Sequence, residues 1–122
     1  MLLAQSPTDN LPDHIQRITY FGQRGDWSHD GKRILFIEKT FGDVYEVTLE
    51  TGAIRPMTHH YHHEGYTRAM YLANGDILLS GARSFDANNP YPSRFVHAEM
   101  WVLDKELNRS PRPLGMKFSE GP

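Results

Sequence analysis

The stretch densest in chemistry is His59-His60-Tyr61-His62-His63-Glu64. Imidazole is the commonest metal ligand in proteins, and a carboxylate can complete a ligand set. Side chains alternate along an extended segment. His60, His62 and Glu64 would therefore face one way, and His59, Tyr61 and His63 the other. If a metal binds, His60, His62 and Glu64 are its candidate ligands. The spacing matches no standard metal motif, and H-E-x-x-H is absent. The same residues serve equally as a polar ligand-binding loop, or as a plain connection whose histidines hydrogen-bond to their neighbours and hold no cofactor.

A second group, Arg83, Asp86, Arg94 and His97, surrounds a stretch containing Asn88-Asn89-Pro90-Tyr91-Pro92. Arg83 and Arg94 carry planar forks that match a carboxylate or phosphate, or they are solvated loop charges. Trp27 and Trp101 have the shape of a sugar platform, but their positions in strands favour packing in a core. Asp30 and Asp76 belong to turns and do not read as an acid and base pair. No nucleophile elbow is present, since Leu79-Ser80-Gly81 has Leu78 where the first Gly belongs. Walker A and G-x-G-x-x-G motifs are also absent.

The elements that must hold these loops are strands. Asp30-Gly31 and Asn74-Gly75 are hairpin signals, and a two-residue type I′ turn is expected at the first. Ile34-Leu35-Phe36-Ile37 is too short for a helix and rich in strand formers. Val44 to Leu49 alternates in the manner of a half-buried strand. Further strands are expected at 15–21, 24–28, 33–39, 53–58, 66–72, 76–80, 96–103 and 112–116. Pro56 suits a sheet edge. Residues 1–14 read as an irregular lead-in, 82–95 as a long loop, and no segment has convincing helical periodicity.

Composition narrows the classes. The 122 residues fit one domain or part of a larger one. A net charge of −2 advertises no basic face, so nucleic acid is not an expected partner. The chain has no cysteine, which excludes a disulfide scaffold and a thiolate zinc site. No apolar run approaches the ~18 residues of a membrane span. Met1-Leu2-Leu3-Ala4-Gln5-Ser6-Pro7 lacks a basic region and is too short for a signal peptide, or is the stump of one whose start lies upstream.

The strands repeat. Trp27-Ser28-His29-Asp30-Gly31 parallels Tyr71-Leu72-Ala73-Asn74-Gly75, and Val44-Tyr45-Glu46-Val47 parallels Met100-Trp101-Val102-Leu103. Each unit is four antiparallel strands, the size of a propeller blade of ~40 residues. The second unit is longer, mainly through 82–95.

Trp27-Ser28-His29-Asp30-Gly31-Lys32-Arg33-Ile34-Leu35-Phe36 resembles the WD40-like, TolB-type β-propeller repeat, W-S-P-D-G-K-R-I followed by an apolar strand. His29 stands where the family usually has Pro. Leu49-Glu50-Thr51-Gly52 and Arg55-Pro56-Met57-Thr58 are similar to the family's following turn and last strand. The resemblance covers roughly 15–121. It implies an all-β partial propeller. The strand at 15–21 would close the ring, 23–58 and 65–116 would be two blades, and 117–122 would begin a third. A chain of this kind is expected to be the N-terminal part of a longer propeller, or else to self-associate. Its two unusual loops, 59–64 and 82–95, would share one face. The resemblance implies a non-catalytic, periplasmic or exported binding or scaffold module that takes a protein or a small polar ligand. The alternative it implies is an enzyme, either a histidine-dependent oligogalacturonate-type lyase using Mn or Zn, or the propeller part of a prolyl-oligopeptidase-like hydrolase.

Overall fold

Two four-stranded antiparallel sheets make up a computed structural model that describes residues 6–117 and 119. The first sheet is β1 (Gln23–Trp27), β2 (Arg33–Ile37), β3 (Val44–Thr48) and β4 (Ile54–Pro56), adjacent in chain order. The second repeats that order with β5 (Arg68–Tyr71), β6 (Ile77–Ala82), β7 (Ala98–Leu103) and β8 (Arg112–Lys117). Before them, Ser6 caps a single 3-10 turn at Pro7–Asp9. Among the described residues, no helix is long and apolar enough to cross a membrane.

Alternation decides which side chains meet. In β2, Leu35 and Ile37 point to one face and Ile34 and Phe36 to the other. The first face, with Val44 and Met57, packs on Ala69, Tyr71, Ile77, Leu79 and Leu103 of the second sheet. Leu35, Ile37, Val44, Leu79 and Leu103 are fully buried there. Truncating one such leucine to alanine costs about 2–5 kcal/mol in a packed core.

The first hairpin turn is not type I′. Gly31 has φ 71°, whereas Asp30 is not among the residues with positive φ. The bond from Gly31 N–H to Ser28 O, 2.9 Å, closes an ordinary turn that ends on a left-handed glycine. The Asp30 carboxylate is instead an acceptor, for the Ser28 hydroxyl at 2.6 Å and the Lys32 amide at 3.0 Å. Those two hydrogen bonds, with the lesser pull of nearby Arg33 and Lys32, hold its carboxyl below the usual range. The second turn is built alike, with Gly75 N–H on Leu72 O at 2.9 Å and Gly75 at φ 92°.

Five other expectations are corrected. Residues 15–21 form no strand; Phe21 instead covers the outer face of the first sheet, its ring 5.4 Å from Phe36 and 5.2 Å from Tyr45. Phe21 finds a sheet face rather than a free edge, whereas Tyr20 stays 87% exposed. The 82–95 insert holds a short helix, α1 (Tyr91–Phe95), with proline in its first turn, where a missing N–H costs nothing. Strand β3 is buried on both faces rather than half-buried, because Glu46 is enclosed with its charge matched. Trp27 ends an edge strand and is 60% exposed, so it does not pack in a core. Lys117 belongs to β8, and 118 and 120–122, given to a third blade, lie outside the described residues.

Polar clamps cross the seam between the sheets. The Tyr71 hydroxyl donates to Glu46 Oε2 at 2.6 Å, and Glu46 also receives Arg33 at 3.3 Å and Arg55 at 3.0 Å. The Tyr71 amide donates to Asp26 Oδ2 at 2.8 Å. A buried carboxylate is tolerated only with such pairing.

Candidate functional site

The histidine loop leaves the first sheet after β4 and enters the second at a backbone crossing. Tyr66 N–H donates to Gly42 O at 3.0 Å, and Phe41 N–H to Tyr66 O at 2.9 Å. Gly65 makes the crossing possible. It has φ 93°, and a Cβ there would collide with the Phe41 carbonyl.

His63 is fixed on both sides of its ring. Nδ1 accepts the Gly65 amide at 2.9 Å, so the proton sits on Nε2, which donates to Asp43 Oδ1 at 2.7 Å. The ring stacks on Tyr66, with centroids 4.6 Å apart. Burial pushes the Asp43 carboxyl up, but hydrogen bonds from Thr58 and His63 outweigh it and hold the group below the usual carboxylate range. Thr58 donates at 2.7 Å to Asp43 and accepts the Val44 amide at 3.0 Å, tying the network to β3. Burial also raises the Tyr66 hydroxyl well above its usual value, so it stays protonated.

The other histidines diverge. His60 Nε2 donates to Leu107 O at 3.1 Å, and the Tyr61 hydroxyl donates to the same carbonyl. The His59 ring lies 5.0 Å from that of His60. His62 is exposed, with Nε2 3.6 Å from Glu64 Oε1. His62 and Glu64 are thus neighbours, while His60 turns away to Leu107. Among the described residues, no three His, Asp or Glu side chains converge as a metal set.

Arg83, at the start of the insert, meets the loop. Its fork is already engaged, with Nε on Glu99 Oε2 at 2.6 Å and Nη2 on Oε1 at 3.3 Å. It lies over the Trp101 ring, 5.4 Å from the centroid, and Trp101 Nε1 donates to Gly81 O at 2.9 Å. His62, His63, Glu64, Tyr66, Arg83 and Trp101, with Ser110 and Pro111, line one cleft of about 250 Å³. His59, His60 and Arg94 are not among its lining residues. Arg94 sits in α1 with its guanidinium 4.9 Å from the Phe95 ring centroid.

No family model, curated protein or solved structure matches this chain. The cleft must therefore be read from its own chemistry. It offers two aromatic surfaces, a protonated tyrosine hydroxyl, a half-buried carboxylate at Glu64 and an arginine whose charge Glu99 balances. Sequence reasoning missed Tyr66 and Glu99 as parts of this site, and Trp101, expected in the core, packs against it and also lines the cleft. Glu99 and Trp101 are two apart on one strand and share a face, and that spacing beside Arg83 was the available signal.

Proposed function

We propose that this chain is a non-catalytic binding or scaffold module, built as part of a β-propeller of the TolB-like kind. A protein segment or a small polar ligand would meet it at the cleft between the histidine loop and Arg83. The observation that carries this reading is the convergence of His62, His63 and Glu64 with Arg83 and Trp101 on one cleft. Binding residues are commonly loop residues held by a rigid scaffold, and clefts mixing aromatic faces with a few polar groups suit ligands.

Support for stacking comes from the sheet faces. Counted from the bonds Ser28 N–H to Arg33 O and Leu72 N–H to Asp76 O, Ile34 and Phe36 correspond to Ile77 and Leu79. Leu35 and Ile37 correspond to Leu78 and Ser80. The face of the first sheet bearing Ile34 and Phe36 is thus the counterpart of the face that the second sheet buries. On its other face, the second sheet leaves Met70, Leu78, Met100 and Val102 half-buried. The two outer faces repeat the two halves of the buried seam, as expected of units that stack in series.

The test is NMR titration of the labelled chain with short peptides and with galacturonate oligomers. Saturable shifts of the Trp101 indole N–H and of the His62 to Tyr66 amides, with the added compounds recovered unchanged, are expected. Saturable shifts elsewhere only, or formation of an unsaturated sugar product, would overturn the reading.

A further inference from the structure

Besides its histidines, the histidine-loop cleft carries two charged side chains on its wall, Glu64 and Arg83. Arg83 is engaged, since its Nε and Nη2 both lie on the Glu99 carboxylate. Glu64 is not. Among the described residues its one ionic neighbour is the exposed His62 imidazole, 3.6 Å away, which is charged only when protonated. His63 adds no charge, because Nδ1 accepts the Gly65 amide and its single proton sits on Nε2. The other cations of this region do not reach the wall. Arg109 faces Asp104 at 3.4 Å, and Arg112 and Lys117 are exposed on β8 and do not line the cleft.

Tyr66 is a second, independent mark. It is only 4% exposed and lines the same cleft. Among the described residues its hydroxyl has no hydrogen-bond partner, and burial keeps it protonated. A buried tyrosine hydroxyl usually finds a partner, and this one keeps oxygen lone pairs for a donor. Trp101 supplies an indole surface that already holds one cation, the Arg83 guanidinium 5.4 Å from the ring centroid. An uncommitted carboxylate, an acceptor hydroxyl and aromatic surface together suit a cation that only donates and rides on an apolar stem. An anion would meet Glu64 with no uncommitted positive side chain to hold it.

We propose, resting on the reading of this cleft as a binding site, that it takes an alkylammonium group, with the charge at Glu64 and the aliphatic stem against Tyr66 and Trp101. A free primary amine and a lysine side chain both carry that group. The half-buried setting of Glu64 strengthens its attraction for a cation over that of a carboxylate in open water.

The experiment is NMR titration of the full chain at constant ionic strength with n-butylammonium and, separately, with N-acetyl-lysine amide. Butyrate and N-acetyl-norleucine amide are their anionic and uncharged counterparts. Binding is followed through the Trp101 indole N–H and the Glu64 and Tyr66 amides. Saturation by a cation at least about ten-fold tighter than by its counterpart is expected, and the tighter of the two cations identifies the source. Glu64→Gln should abolish that preference and keep the wild-type thermal melt, and Tyr66→Phe should weaken the cation about two- to ten-fold. No saturation by either cation, counterparts that bind as tightly, or equal affinity in wild type and the folded Glu64→Gln variant would overturn the ammonium assignment. If short peptides or galacturonate oligomers then still saturate the same signals, only the assignment fails; if they are silent too, the binding role of the cleft fails with it.

Discussion

At the scale of single residues, Asp43 organises the histidine loop. It accepts both Thr58 and His63, and His63 in turn accepts Gly65, so one carboxylate fixes a side-chain tautomer and a backbone turn. Asp43→Asn should destabilise the fold by about 1–3 kcal/mol, read from urea unfolding near neutral pH. The sign of the pH dependence follows from the lowered carboxyl. Its stabilisation is complete above the ordinary carboxylate value and is lost as pH falls through the lower folded value. The wild-type urea midpoint should therefore drop between about pH 5 and about pH 2, and the Asp43→Asn midpoint should drop less. Equal slopes would remove Asp43 from this role. The sequence made His62, His63, Glu64 and Arg83 legible as candidates because their residue types are distinctive. It could not reveal that Glu99 engages Arg83 or that Gly65 sets the His63 proton. Those facts depend on strand register and on a left-handed glycine.

At the scale of elements, the strands were legible where alternation and turn residues agreed, as in β2, β3, β6 and β7. Residues 15–21 misled because an apolar extended segment looks the same whether it pairs at an edge or lies on a face. The helix α1 has five residues, too few to display a period, and prolines obscure it further. The alternation of β3 concealed a buried Glu46, since a polar letter reads as solvent-facing unless its partners are known. That carboxylate joins the elements: Tyr71→Phe should cost about 1–2 kcal/mol by removing the hydrogen bond across the seam. Gly65→Ala should cost more, since strain and the clash with Phe41 act at one crossing. Thermal melts of the two variants check both effects; a melt unchanged by Gly65→Ala would mean the crossing relaxes freely.

At the scale of the whole molecule, the two sheets repeat one construction, and each outer face is the counterpart of one side of the buried seam. Apolar residues remain partly open on both, Ile54 being 39% exposed on one and Met70, Leu78, Met100 and Val102 half-buried on the other. Under the proposed stacking, the two outer faces would meet head to tail, a contact that closes into rings or extends. Leu78→Glu puts a charge at the centre of one such face without touching the seam. Sedimentation equilibrium of the 122-residue chain tests the stacking most directly. An average mass that rises above the monomer with concentration, and returns to the monomer in Leu78→Glu, is the predicted result. A monomer at every concentration for both proteins would contradict it.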